Sequence, residues 1–325
     1  MRFCVSPMWE VGPSMRLLRS GAVHPVHGPW AEQVRPRLAA AGLDGGLLAE
    51  LVPPRGYVPD FLNPVPSGPA PTRAEELAGI RAAPEADVRR DLDRLRAEQG
   101  ALGSRARGLY ADPRAQLVRL TEEIEAYWEL ALAPYWARIR AVLDADVFHR
   151  ARQAAEYGTA RLFDELHPAV GWNGTGLRLP RRLRPLPAGA SGAGLLLIPS
   201  VFTGPVPFTR VTPPDPPQLA YPARGTGSLW ERRPVAAGGT AALAAVLGRS
   251  RALLLAELET PASTTELARR TALSAPGVSQ CLRALHGAGL VSAHRAGRSV
   301  LYARTAAAEN LLAAPAGPGW LPAHG

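Results

Sequence analysis

The feature of the sequence that most constrains the fold is a series of helix starts and stops between residues 240 and 313. Ser263 followed three residues later by Glu266 has the form of a capping box, which predicts the start of a short helix. Ser274 offers the N-cap of a second helix over 275–286, separated from the first by only three residues. Two short helices joined in this way are typical of a helix-turn-helix, in which the helices cross steeply.

The residues on either side of this helix pair predict a further helix and a β-hairpin. Leucines at helical spacing precede the pair, with a break near Gly248. Gly287 to Gly289 end the second helix, and Leu290 to Arg295 is then predicted to pair with Ser299 to Arg304 across a tight turn. Helix, turn, helix and wing therefore follow one another in the order of a winged helix-turn-helix.

The charge of the chain favours a polyanionic partner. The net charge is +9 at pH 7 and the pI is about 10.4, and the sequence contains arginine but no lysine. Between Ser263 and Thr305, six arginines face a single acidic residue, Glu266. Arginine supplies a fixed charge and a planar set of donors that suit phosphate. Nucleic acid is therefore the leading candidate partner.

The second helix of the motif is the predicted reader of the DNA major groove. Its inward positions are apolar, so its outward face is available to bases and phosphates. Gln280 can hydrogen-bond an adenine edge and Arg283 a guanine or a phosphate, while Arg295 and Arg298 on the wing suit phosphate or minor-groove contact. The predicted DNA-binding residues are Thr264, Ser274, Ala275, Pro276, Ser279, Gln280, Arg283, Arg295 and Arg298.

The segment VSQCLRALHGAGLVSAHRAGRSVLYAR resembles the recognition helix and wing of ArsR/SmtB-type winged-helix repressors. The resemblance covers about the last 75 residues and implies a homodimer that binds an inverted-repeat operator in double-stranded DNA, under the control of a signal. Metal-sensing members carry cysteine pairs or Asp/His/Glu clusters, which STTELARR and AAAENLLAA lack, so no metal is expected. The long N-terminal extension, with WNGTGLRL and GLLLIPSVF, resembles uncharacterised actinobacterial regulators with a domain of unknown function.

The sequence as a whole predicts an α+β protein, with a mainly helical N-terminal domain, a small β region and a C-terminal winged helix-turn-helix. Residues 1–236 form the predicted regulatory or dimerisation domain, helical to about residue 168 and β-rich over 169–236. Residues 240–313 form the DNA-binding domain, and 314–325 a flexible tail. Short apolar runs predict strands at Val170–Trp172, Leu177–Leu179, Leu195–Ile198 and Leu219–Tyr221.

Four helical regions are expected in the N-terminal domain, and the first spans residues 9–20. The polar segment 72–95, with a capping box at Thr72, predicts solvated surface. An apolar stripe over 117–143 predicts a core or dimer helix that Pro134 kinks. A further helix over 146–166 is expected to bury one side, which carries Phe148, Ala151, Ala155, Leu162, Phe163 and Leu166.

No arrangement in residues 1–235 has the spacing of a catalytic, metal or cofactor site, so no enzyme is predicted. His24 and His27 lack a nearby acidic or cysteine ligand. Several residues have a functional and a structural alternative, and the structural one is favoured for each: Glu122, Glu123 and Glu125 as solvated residues, Cys281 as a small apolar residue, and Trp128 and Trp136 as packing residues.

The expected location is the cytoplasm, because Cys4 and Cys281 do not suggest a disulfide framework and neither a signal peptide nor a membrane span is evident. The protein is predicted to be a sequence-specific transcriptional regulator, most simply a repressor. A small-molecule effector that binds the N-terminal domain is compatible with this prediction. A winged-helix adaptor for proteins and an enzyme with an accessory winged helix remain as alternatives.

Overall fold

The protein has the mixed α+β fold that the sequence predicts, mainly helical in its N-terminal region and ending in a winged helix-turn-helix. The computed structural model describes residues 1–21, 23–172, 177–178, 194–231, 239–296 and 299–314. The chain packs as two compact units: unit 1 is Met1–Trp128 with Ile139–Leu229, and unit 2 is Glu129–Arg138 with Trp230–Gly325. The predicted division near residue 236 assigned Glu129–Arg138 to the N-terminal domain, whereas this segment packs with the C-terminal part.

Eight helices are observed among the described residues up to Leu166. They are α1 (Met8–Arg19), α2 (Gly28–Ala41), α3 (Leu47–Leu51), α4 (Arg73–Arg81), α5 (Glu85–Gln99), α6 (Ser104–Ala111), α7 (Pro113–Ala131) and α8 (Trp136–Leu166). The Thr72 side chain accepts a hydrogen bond from the Glu75 N–H, and the Glu75 side chain accepts one from Thr72, which completes the predicted capping box at the start of α4.

The prediction of solvated surface over 72–95 is wrong. Among its charged residues lies a narrow apolar stripe that is at most 2% exposed: Leu77, Ile80, Val88, Leu92 and Leu95. These residues recur every three or four positions in α4 and α5, so each helix still presents one face to the core. A high average polarity therefore concealed two amphipathic helices.

The predicted helix over 117–143 is broken rather than kinked. Helix α7 ends at Ala131, a 3-10 turn occupies Ala133–Tyr135, and α8 begins at Trp136. Pro134 lies in this turn, and a proline inside a helix removes an N–H and clashes with the preceding turn. The break divides one apolar stripe between two helices.

The expected burial of Phe148 is also wrong, since 72% of this residue is exposed, and Ala151 and Ala155 are exposed with it. The buried face of this part of α8 carries polar residues instead: Asp146, Arg150 and Gln153. They are partnered, because the Tyr221 hydroxyl donates to Asp146 at 2.7 Å and Arg150 donates to the Glu165 carbonyl oxygen at 3.1 Å.

Gly158 has a non-helical backbone, with φ 82°, which changes the phase of α8. Beyond it, the predicted burial is confirmed for Leu162, Phe163 and Leu166.

Unit 1 contains a four-stranded sheet formed by β1 (Arg2–Phe3), β4 (Leu196–Ser200), β6 (Gln218–Pro222) and β5 (Phe208–Arg210), in the order β1-β4-β6-β5. The first three strands are parallel and β5 is antiparallel to β6. Two further short strands, β2 (Gly171–Trp172) and β3 (Leu177–Arg178), pair antiparallel. All four predicted strand regions contain strands, and β5 is a strand that the sequence pattern did not indicate.

A buried glutamate anchors α1 to the end of β4. Glu10 is fully buried and accepts hydrogen bonds from the Ser200 hydroxyl at 3.0 Å and from the backbone N–H groups of Val201 and Phe202 at 3.0 and 3.2 Å. Burial raises the pKa of the Glu10 carboxyl to about 7, against the opposing effect of these bonds.

Unit 2 contains the predicted motif. Its elements are α9 (Gly239–Leu247), α10 (Arg249–Glu257), β7 (Ala262–Ser263), α11 (Thr264–Thr271), α12 (Ala275–Gly287), β8 (Val291–Ala296), β9 (Ser299–Arg304) and α13 (Ala306–Ala313). The strands form an antiparallel sheet in the order β7-β9-β8. Buried leucines of α10, α11 and α12 share one core with Val291 and Ala308. Of the predicted tail, only Ala314 lies within the described residues.

In the described part of the chain, none of the helices combines the length and apolar character needed to cross a bilayer.

Candidate nucleic-acid interface

Helix α12 is positioned by local signals at both ends of the turn that precedes it. Ala272 adopts the left-handed conformation, with φ 56°, and so ends α11. The Ser274 side chain then accepts a hydrogen bond from the Gly277 N–H at 3.3 Å, as the predicted N-cap. Val278, Leu282 and Leu285 are at most 1% exposed and hold the helix on the unit 2 core.

The opposite side of α12 presents the predicted base-reading residues to solvent. Pro276, Gln280 and Arg283 are exposed and follow at spacings of four and three residues, so they share one face of the helix. Ser274 and Ala275 are exposed at the start of α12. Two of the predicted contact residues are less accessible, since Thr264 on α11 and Ser279 on α12 are half-buried.

The wing is the hairpin formed by β8 and β9. Its register pairs Arg295 with Val300 and Ala296 with Ser299, close to the predicted pairing. Arg295 is exposed. Arg298, the second predicted wing contact, lies outside the described residues together with Gly297.

Two of the six arginines counted in this region are engaged within unit 2. Arg304 is 7% exposed, donates from Nε to the Leu255 carbonyl oxygen at 2.6 Å and forms an ion pair of 3.6 Å with Glu309. Arg270 forms an ion pair with Glu266 on the same helix. The sequence analysis counted all six arginines as charge available to DNA. This is wrong for Arg304, whose side chain stabilises the fold of unit 2.

Arg269 is a candidate contact that the sequence analysis counted but did not select. It is exposed on α11, two residues beyond the buried Leu267 and so on the far side of that helix. Among the described residues, Arg269, Arg283 and Arg295 are exposed and form no ion pair. Helical phase relative to Leu267 was the signal that could have identified Arg269.

The segment Glu129–Arg138 packs beside the wing strands within unit 2. Glu129 lies 3.1 Å from Nδ1 of His294 on β8, and Nε2 of the same imidazole lies 2.8 Å from the Ser292 hydroxyl. Arg138 lies 3.5 Å from Glu309 and 3.9 Å from Glu259. The inner side of the wing is thus held by polar contacts.

The two histidines considered for metal binding have structural roles. His27 is 2% exposed, and its Nε2 lies 2.9 Å from the Val201 carbonyl oxygen. His24 Nδ1 accepts hydrogen bonds from two backbone N–H groups, of Val26 and His27. Burial lowers the pKa of His27 to about 4, with His24 adding to the effect. The described residues contain no group of three His, Cys, Asp or Glu side chains placed to hold a metal ion.

Of the glutamates predicted to be solvated, Glu122 is exposed, whereas the prediction is wrong for Glu123. Glu123 is half-buried and accepts hydrogen bonds from the Leu47 and Leu48 N–H groups at 2.9 Å each, and so caps α3 rather than standing free in solvent. A Cβ at Gly46 would overlap the Glu123 carboxylate, so this cap requires glycine there. Cys281 is half-buried against the unit 2 core.

Comparison of the chain with protein-family models, with curated proteins and with solved structures found no match.

Proposed function

We propose that this protein is a sequence-specific DNA-binding transcriptional regulator that acts from the cytoplasm as a homodimeric repressor. The observation that carries the proposal is the exposed set of arginines on the winged helix-turn-helix, Arg269, Arg283 and Arg295, which form no ion pair in the described part of the chain. Exposed arginines on the two motif helices and the wing match the places where such folds meet phosphates and bases.

The face of α12 supports direct reading of bases. Small residues, Ala275 and Gly277, occupy its first turn, so the helix can approach a groove closely. Gln280 and Arg283 follow on the exposed side; a glutamine can make two hydrogen bonds to adenine and an arginine two to guanine. The position of Gln280 agrees with a recognition helix that enters the major groove by its N-terminal half.

The apolar surface of α9 and α13 supports assembly with a second copy. These two helices pack against each other in unit 2, yet Val246 on α9 is 82% exposed and Leu311 on α13 is 41% exposed. Exposed apolar side chains on adjoining helices favour burial against another surface. A self-complementary contact of this kind would place two recognition helices on an inverted repeat, as a two-fold dimer requires.

The experiment is binding to the DNA immediately upstream of the coding region, measured by fluorescence anisotropy at several salt concentrations with competitor DNA present. Gln280→Ala and Arg283→Ala are expected to lose discrimination between operator and competitor, whereas Arg295→Ala is expected to weaken binding to both. Arg119→Ala, which removes an exposed arginine from α7 in unit 1, is the matched control for a general loss of charge.

A steep salt dependence that becomes shallower by about 0.9 in log–log slope for each lost phosphate contact would support the proposal. Weak binding that is equal for all DNA and unchanged in Gln280→Ala and Arg283→Ala would count against it. That result would favour a winged helix that binds proteins.

A further inference from the structure

A cavity of about 450 Å³ lies within unit 1, between α1, the segment 56–63, α5 and the region of β5. This volume falls in the range of about 300–1,000 Å³ that is usual for small-molecule sites. Its walls include three aromatic side chains, of Trp9, Tyr57 and Phe208. The Trp9 indole N–H donates to the Gln218 side chain at 2.7 Å, so this ring is fixed in place. Fixed aromatic walls suit a flat apolar molecule.

The cationic groups of the cavity are already engaged. Arg16 donates to the carbonyl oxygens of Pro53 at 3.1 Å and Gly56 at 2.7 Å. Arg94 lies over the Tyr57 ring, 3.9 Å from its centroid, and 3.7 Å from Glu98. A ligand that brought only acceptors would therefore compete with existing partners of both arginines.

The acceptors of the cavity are less fully engaged. Asp60 forms no ion pair in the described part of the chain, and its backbone N–H donates to the Tyr57 hydroxyl at 3.1 Å. Asn63 also lines the cavity, and its Oδ1 is buried without a hydrogen-bond partner among the described residues. A buried acceptor without a donor costs free energy, so a rotation of the Asn63 side chain toward a donor on the ligand would recover it.

We propose that this cavity binds a small planar aromatic amine, whose protonated amino group lies at Asp60 and Asn63 and whose ring lies among Trp9, Tyr57 and Phe208. Arg94 and Arg210 lie near Asp60 without forming an ion pair with it, so an ammonium group would supply the direct charged partner of Asp60 and the donors that Asn63 lacks. The role of such a ligand as an effector rests on the proposed DNA-binding function, but its binding does not.

The charged groups that face Asp60 are consistent with this assignment. Burial and the nearby Asp91 carboxylate raise the pKa of Asp60 to about 6, while Arg94, Arg210 and the Tyr57 hydroxyl oppose the shift. Asp60 is therefore mainly ionised at neutral pH, and an added ammonium group would further favour its charged form. Binding of the amine is expected to weaken as pH falls below 6.

The test is calorimetric titration of the full chain, without DNA, at pH 7.5 and pH 5. The probes share one ring and differ in charge: tryptamine carries an ammonium group, indole-3-propionate a carboxylate, and indole neither. Tryptamine is expected to bind most tightly and to bind more weakly at pH 5. Asp60→Asn is expected to reduce its affinity on the order of tenfold to a hundredfold.

Two variants distinguish binding in this cavity from nonspecific effects of a substitution. Gly12 lines the cavity on α1, and a Cβ there would make an ordinary van der Waals contact with Val58 Cγ1 at 4.0 Å, so the longer side chain of Gly12→Leu is expected to fill the cavity and abolish binding of all three probes. Asp44→Asn, at an exposed loop position, is the matched control and should bind tryptamine normally. Tryptamine binding that is absent, or unchanged in both Asp60→Asn and Gly12→Leu, would overturn the proposal, as would tighter binding of indole-3-propionate.

Discussion

Arg138, in the first turn of α8, lies 3.5 Å from Glu309 on α13, so a residue far upstream of the winged helix-turn-helix belongs to its buried ion-pair network. Glu309 is shared, because Arg304 lies 3.6 Å from its other carboxylate oxygen. The side chains of Arg138 and Glu309 are 11% and 10% exposed. Glu309 thus faces both cations in a poorly hydrated region, and Glu259 faces Arg138 at 3.9 Å.

Because Glu309 is shared, we predict that substituting Glu309 destabilises the protein more than substituting Arg138. Glu309→Gln leaves Arg304 without its ion-pair partner and Arg138 with Glu259 alone, and is expected to destabilise unit 2 by about 3 kcal/mol. Arg138→Met leaves Glu309 paired with Arg304 and is expected to cost only about 1 kcal/mol. Urea denaturation of the full chain measures both. Arg152→Met, which breaks an exposed pair with Glu156, is the control and should cost less than about 0.5 kcal/mol. Equal losses for the two buried variants would contradict the shared arrangement.

Ser274 is predicted to have two separable roles, as the N-cap of α12 and as a neighbour of DNA phosphate. Ser274→Ala loses the cap and should lower the free energy of unfolding by about 1 kcal/mol. Ser274→Asp keeps a capping carboxylate at the helix N-terminus but brings negative charge to the proposed interface, so stability should be retained while DNA affinity falls. Ser274→Asn keeps the cap without charge and serves as the control for both measurements. If Ser274→Asp kept the natural DNA affinity, the DNA phosphates would not lie near Ser274.

Arg295 and Arg304 lie on the same hairpin, but substituting Arg295 is predicted to lower DNA affinity and substituting Arg304 to lower stability. Arg295→Ala removes an exposed side chain, so DNA affinity should fall while the free energy of unfolding changes by less than about 0.5 kcal/mol. Arg304→Ala removes the donor to the Leu255 carbonyl and the partner of Glu309, and should cost on the order of 3 kcal/mol. Anisotropy with DNA and urea denaturation distinguish the two losses. A stable Arg304→Ala protein that no longer binds DNA would show that Arg304 contacts DNA directly.

The helix-turn-helix could be predicted from the sequence because its signals are local. Ser263 and Ser274 each cap the helix that they precede, and the hairpin register is fixed by a short turn between alternating strands. Such signals depend on neighbours within about four residues. The candidate interface followed from the same helical phase, which placed Gln280 and Arg283 outside the buried stripe of Val278, Leu282 and Leu285.

The features that the sequence did not predict depend on distant partners. Phe148 was expected inside because it is apolar, yet α8 buries Asp146, whose partner Tyr221 is on β6. Arg304 looks like Arg295 in the sequence, and only the carbonyl groups of α10 and the Glu309 carboxylate distinguish it. The contacts of Asp146 with Tyr221, and of Arg304 with α10 and Glu309, arise from tertiary packing. Residue type and periodicity therefore could not predict them.

The buried carboxyl of Glu76 predicts a pH dependence of stability in unit 1. Glu76 is 3% exposed, accepts hydrogen bonds from the Ser6 hydroxyl and the Met8 N–H, and burial raises its pKa from 4.5 to about 7. Because the folded state holds this proton more tightly than the unfolded chain, the free energy of unfolding should fall as pH rises from about 4.5 to 7, and then level off.

Glu76→Gln removes this titration while keeping an acceptor for Met8. The variant should therefore gain stability relative to the natural chain as pH rises through that window, by at most about 3 kcal/mol. Taking the difference between the two proteins at each pH cancels the titration of Glu10, which shifts in the same direction, and of His27, which shifts in the opposite one. Urea denaturation at pH 5, 6, 7 and 8 provides the measurement. Glu75→Gln, at the exposed neighbouring position, is the control, and its relative stability should not rise with pH because hydrogen bonds to Thr72 lower the pKa of Glu75. A constant difference between Glu76→Gln and the natural chain would mean that Glu76 stays ionised in the folded state.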